Sequence, residues 1–193
     1  MNLLNYGRQL SALILVGVLS FVSVGVTAAE VSGNSNGNIV VEEFFDYQCP
    51  HCRIMLENTD KLAKNNRDVK LVTRVVPLMG PNSWTIARAT LAARKQGKFA
   101  ALHHLLMQER QYISDQRLLS LAEMAGINMA QLQRDMRSKS ISAELNANIS
   151  TSRRRGVEII SATFVYRANN HSSQIRIVGD KSYGELQQSI SNL

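Results

Sequence analysis

Cysteine is scarce in this sequence: two occur in 193 residues, Cys49 and Cys52, with only Pro50 and His51 between them. A multiply stapled scaffold is thereby excluded, and a chain of this size needs no staple. A bridge between the two would close a tiny loop and restrict the unfolded chain little. So few cysteines, so spaced, point to redox chemistry or metal ligation. Proline is nearly as scarce, at Pro50, Pro77 and Pro81. After the first thirty residues no stretch is apolar enough to span a bilayer. Runs of one charge are absent except at Arg153, Arg154 and Arg155, so the net charge of +7 is dispersed. Nucleic acid is not an expected partner of a chain with an export signal and no basic patch.

That export signal opens the chain. Residues 1–29 carry one positive charge, Arg8, then an apolar run from Leu10 to Val26, then small residues ending at Ala28 and Ala29. This order predicts a secretory signal peptide cut after Ala29 or one residue earlier, with an uncleaved anchor as the alternative. No cysteine sits at the cut, which argues against a lipoprotein. Residues 30–38, "EVSGNSNGN", are expected to be a flexible leader, and residues 39–193 one domain.

The pattern within 39–193 changes between strand and helix periods five times. "IVVEEFF" (39–45) has the length and residue types of a buried strand and stops just before the cysteines. A helix follows from Pro50 to about Asn65, and "VKLVTRVV" (69–76) is a second strand. Four helical segments come next. The first places Trp84, Ala87 and Leu91 on one face and ends at Gly97. The second aligns Phe99, Leu102 and Leu106. The third starts at a Ser114 cap, presents Leu118, Leu121 and Ala122, and stops at Gly126. The fourth is capped by Asn128, turns Met129, Leu132 and Met136 inward, and extends toward Ser152. Two strands, "ATFVYR" and "QIRIVG", and a terminal helix bearing Tyr183, Leu186 and Ile190 complete the chain. There is no internal repeat.

A CxxC pair between the first strand and the first helix of such a unit reads as a thioredoxin-like redox site. Cys49 falls where unsatisfied N–H groups and the helix dipole favour an anion. The thiolate is both nucleophile and leaving group, so this placement activates it. Cys52, one turn further in, is shielded and can resolve a mixed disulfide. Pro50 suits the first turn, where its missing N–H costs nothing. His51 can stabilise the thiolate, and a dithiol stabilised when reduced is an oxidant when bridged. On a central strand, either Glu42 or Glu43 must face inward, and burial would raise its pKa.

In these residues the chain resembles the DsbA family of periplasmic thiol:disulfide oxidoreductases. The likeness runs from "VVEEFFDYQCPHC" through "ARATLAARKQGKFAALHHLLM" and "AGINMAQLQRDM" to "GDKSYGELQQSI". It implies an α/β, thioredoxin-like fold with a helical subdomain inserted at about 82–152. It also implies that Cys49 is an exposed nucleophile, Cys52 a buried resolving thiol, His51 a tuning residue, and Glu43, favoured over Glu42 by spacing, the acid behind them. The implied partners are thiol-containing exported proteins and a membrane redox partner for reoxidation. No cofactor is implied, and the implied compartment is the periplasm.

One departure stands out. The family places a cis-proline opposite the disulfide; here Ser161 and Ala162 occupy the matching substrate-binding stretch, and no proline is available. A cis bond before a non-proline residue costs about 2.5–4 kcal/mol, so a trans Ser161–Ala162 peptide is expected. The competing functions are a reductase or isomerase using the same thiols, a thiolate metal-binding protein, and a chaperone. A third metal ligand is not evident in the sequence. His103, on the apolar face of its helix, is expected to be a packed core histidine, and Met79 a surface methionine.

Overall fold

The computed structural model describes residues 29–193, so the expected signal peptide, apart from Ala29, lies outside the described residues. In chain order the elements begin with β1 (Glu30–Gly33), β2 (Ile39–Phe45), α1 (Pro50–Asn65) and β3 (Val69–Val75). Five helices follow: α2 (Pro81–Arg94), α3 (Phe99–Gln108), α4 (Asp115–Met124), α5 (Met129–Met136) and α6 (Lys139–Arg154). The chain closes with β4 (Ala162–Arg167), β5 (Asn170–Val178) and α7 (Tyr183–Ser191). The sheet order is β1-β3-β2-β4-β5, with β2 central, parallel to β3 and antiparallel to β4.

Every residue of β2 is buried, because both faces of the strand are covered. Side chains alternate between faces along a strand. Ile39 and Val41 therefore pack with Met55 and Leu62 of α1 and with Leu186 and Ile190 of α7. Val40 and Phe44 instead join Val72, Phe164 and Tyr166 on the opposite face, where Ile149 of α6 adds to the cluster. A third cluster fills the helical block and reaches the cysteines: Leu91, Leu102, Leu121 and Leu132 share it with Phe45, Tyr47, Cys49, Cys52 and Leu56. Each fully buried large apolar side chain contributes about 1.5–3 kcal/mol.

Three expectations change. The supposed leader is partly a strand, since Glu30–Gly33 pairs antiparallel with residues 70–73 of β3. The fourth helical segment is two helices, because Ser138 accepts a hydrogen bond from Ile141 N and caps a new start at Lys139. Trp84 is not inside; it is 39 % exposed, while Ala87 and Leu91 of the same helix are buried. Other stops match the expectation: Gly126, at φ +70°, takes the left-handed position that ends α4. Among the described residues no helix is long and apolar enough to cross a membrane.

Candidate active site

The two cysteines sit where β2 ends and α1 begins. Cys49 is the N-cap of α1, and its Sγ accepts a hydrogen bond from Cys52 N at 3.3 Å. The sulfur thus takes the place usually held by a serine or aspartate oxygen, on the positive end of a sixteen-residue helix. Pro50 occupies the first turn and is exposed, as is His51. Both cysteines are free thiols. The Cys49 thiol is lowered to about 6. The Cys52 thiol beside it is the main cause, burial opposes, and the N–H groups of Cys52 and His51 add to it; the His51 imidazole comes last. Cys52 moves the opposite way: burial comes first, then the proton it donates to Cys49, then the charge on Cys49. One sulfur is therefore poised as an anion while the other holds its proton.

Exposure differs from the expectation. Cys49 is only 3 % exposed, against 0 % for Cys52, so it lies just beneath the surface rather than on it. Its entrance is bordered by the exposed Pro50 and His51.

The turn that presents Cys49 is held by residues the sequence did not single out. The buried Asp46 accepts from Gln48 N at 2.9 Å through Oδ1, and from Leu78 N and Met79 N at 2.8 and 2.9 Å through Oδ2. Gln48 bonds both the N–H and the carbonyl of Ile113, at 3.0 and 2.8 Å. Arg53 Nη1 donates to Tyr47 O at 2.7 Å. The Tyr47 hydroxyl lies 2.8 Å from His103 Nδ1, and His103 stacks on Phe99. Burial lowers His103 to about 4, so it is a neutral packing residue. The Asp46–Gln48 bond is an Asx turn, a signal that was readable from an aspartate directly after a strand.

Glu42 and Glu43 are both buried, and they point to opposite faces. Glu42 receives Arg74 Nε at 2.7 Å and Arg155 Nη2 at 2.6 Å. Among the described residues Glu43 has no cationic partner. Its Oε2 lies 2.9 Å from the Thr59 hydroxyl and its Oε1 3.5 Å from that of Ser161. Burial raises Glu43 to about 8, so it is protonated at neutral pH. It makes no hydrogen bond to Cys52.

The Ser161–Ala162 peptide is trans, as expected, and the cis peptide is the one between Ile160 and Ser161. Ala162 already belongs to β4, opposite Phe44 and Val178. Both side chains are 0 % exposed, and Ser161 O is taken by Gly179 N at 2.9 Å. Ile159, close by in sequence, is 63 % exposed.

Asp180 was also missed. Its Oδ1 lies 2.5 Å from His51 Nδ1, across 129 positions of sequence. A cleft of about 330 Å³ between α1 and α3 is lined by Arg53, His103, Met107 and Arg110 but by neither cysteine. The dithiol lies at a helix start instead of in that cleft.

A dithiol capping the first helix of a β-α-β unit, with helices inserted before the last strands, defines a thioredoxin-like oxidoreductase architecture. Residues 40–191 match the DSBA-like thioredoxin domain family, and the chain belongs to that family. It is an oxidoreductase of the DsbA-like thiol-disulfide class. A thioredoxin-like oxidoreductase from Silicibacter pomeroyi DSS-3 is similar over 86 % of this chain and 92 % of its own, at 31 % identity and a TM-score of 0.74. The catalytic domain of Proteus mirabilis ScsC shares the fold at 21 % identity and a TM-score of 0.73, over 86 % and 88 % of the two chains. The thiol-disulfide exchange protein α-DsbA2 from Wolbachia pipientis does so at 20 % and 0.70, over 86 % and 87 %. Part of the chain, 110 residues or 55 %, is 30 % identical to the Na(+)/H(+) antiporter NhaA 1 of Mycolicibacterium vanbaalenii. The chain spans only 18 % of that protein's length, and 16 % of a second such antiporter from Salinispora tropica.

Proposed function

We propose that the protein oxidises thiols of exported proteins by donating a Cys49–Cys52 disulfide. A substrate thiolate attacks Cys49 Sγ of the bridged form, breaking the S–S bond and releasing Cys52 as a thiolate. Cys52 takes up a proton, and the substrate is held in a mixed disulfide with Cys49. A second substrate thiolate attacks its partner sulfur and expels Cys49 as a thiolate. The substrate loses two electrons to a new disulfide, and the protein gains them as a dithiol. Cys49 is the sulfur attacked and then the leaving group, and Cys52 is the thiolate released first; in the reverse direction Cys49 is the nucleophile and Cys52 the resolving thiol, while His51 and Pro50 shape the helix start. Glu43, protonated and buried behind the dithiol, is the proton source assigned to Cys52.

The observation that carries this function is Cys49 Sγ at the N-cap of α1, lowered to about 6 beside a thiol that keeps its proton. A group stabilised as an anion only when reduced favours the reduced state, which makes the bridged form a donor. Export is supported by the amino-terminal signal pattern and by the fold shared with a periplasmic thioredoxin-like protein from Salmonella enterica serovar Typhimurium. Reoxidation is assigned to a membrane redox partner. Equilibration with glutathione tests the direction: the protein is expected to be reduced at low ratios of thiol to disulfide. A strongly reducing potential would make it a reductase instead.

A further inference from the structure

Asp180 lies in the short connection between β5 and α7, yet it reaches the dithiol motif directly. Its flanks are anchored on both sides. Gly179 N donates to Ser161 O at 2.9 Å, and Asn58 Nδ2 of α1 donates to Lys181 O at 2.9 Å. The connection is thereby tied to the segment before β4 and to the helix that begins at Cys49. We propose that Asp180 is a positioning residue for His51, fixing its imidazole beside Cys49 through the Asp180–His51 contact. This inference rests on the exchange function proposed above.

The surrounding charges leave Asp180 to this task. Lys181 is occupied by Glu185 at 2.9 Å, and Glu185 also accepts from Ser182 in the capping box of α7. Lys61 of α1 lies over the Tyr183 ring, 4.7 Å from its centroid. Arg53, also on α1, is buried and bonded to Tyr47 O. His51 is the cation that meets the Asp180 carboxylate. Hydrogen bonding and charge from Asp180 raise His51, and the same contact lowers Asp180. Because Nδ1 faces the carboxylate, that nitrogen keeps its proton, and the ring charge persists at pH values where a free imidazole is neutral. The charge stabilises the Cys49 thiolate, which exists only in the reduced protein. Asp180 thus favours reduction of the disulfide without touching either sulfur. Its own negative charge works the other way, but acts on the sulfur from beyond the imidazole.

The test compares the full chain with Asp180→Asn, Asp180→Glu, His51→Ala and the double variant His51→Ala/Asp180→Asn. Each is equilibrated with glutathione at pH 7.5 and at pH 5.5, and the His51 ring is titrated by NMR. At pH 7.5 Asp180→Asn is expected to shift the equilibrium about two- to fivefold toward the disulfide form. At pH 5.5, where His51 keeps its proton unaided, the shift disappears. Asp180→Glu restores wild-type behaviour, and Asp180→Asn has no effect in the His51→Ala background. A shift of equal size at both pH values, or one undiminished without His51, would overturn the role and make Asp180 a loop anchor only. An unchanged His51 titration would do the same. A wild-type protein that exchanges nothing with glutathione sinks the proposed function itself, whereas normal exchange indifferent to Asp180→Asn sinks this inference alone.

Discussion

Glu42 and Glu43 are adjacent on one strand and equally removed from water, but the two faces of the sheet treat them differently. On the α6 face, Glu42 is met by two guanidinium groups, Arg74 from β3 and Arg155 from the end of α6. Arg155 also lies over the Phe164 ring, 4.6 Å from its centroid, so this face is a charged latch between sheet and helix. On the α1 face, Glu43 meets only hydroxyls among the described residues and stays protonated. A buried carboxylate with cations around it serves packing. One without them stores a proton, and it lies behind the dithiol.

The largest effect expected from breaking this comparison is at Glu43. The unfolded chain ionises it near 4.5, whereas the folded chain holds its proton to about 8. Unfolding between these values releases a proton, so this group lowers stability as pH rises from about 4.5 to 8. Glu43→Gln should therefore stabilise the fold by on the order of 4 kcal/mol above pH 8 and by nothing below pH 4.5. Urea denaturation at pH 4 and pH 9 reads this directly, and a gain of equal size at both would contradict it. Glu42→Ala has the opposite sign. It leaves two guanidinium groups facing a partly buried gap and should cost about 3 kcal/mol at neutral pH in the same measurement.

The next effect separates the sulfurs. The folded reduced protein holds Cys49 at about 6, below its ordinary 9. That contribution is present above pH 9 in full and is lost as pH falls through 6. The reduced form should exceed the oxidised form in stability by about 2 kcal/mol at pH 9, after allowance for solvent near the sulfur. The gap should close toward pH 5. The smallest effect is at Thr59, whose hydroxyl also lies 3.1 Å from Met55 O. Thr59→Val should cost about 1 kcal/mol and move the Glu43-dependent fall in stability to higher pH.

What the sequence disclosed follows the range of the forces involved. β2 and the start of α1 were legible because apolar runs, proline placement and helix-end electrostatics act within a few residues. The same holds for Ser114 and Asn128 as caps, and both accept the expected backbone bonds. The strand at Glu30–Gly33 was hidden because its residues are polar and its pairing with β3 is decided by an edge left open forty residues later. That both glutamates are buried required knowing that α6 covers the second face of the sheet. Asp180 carried no local signal at all, since its partner lies 129 positions away.

The most direct test of the account is the rate of Cys49 alkylation measured against pH in the reduced protein. The placement of its sulfur at the start of α1 predicts half-maximal reactivity near pH 6, with Cys52 unreactive throughout. A midpoint near the ordinary thiol value of about 8.5 would show that the helix start does not hold an anion, and the exchange mechanism would lose its basis.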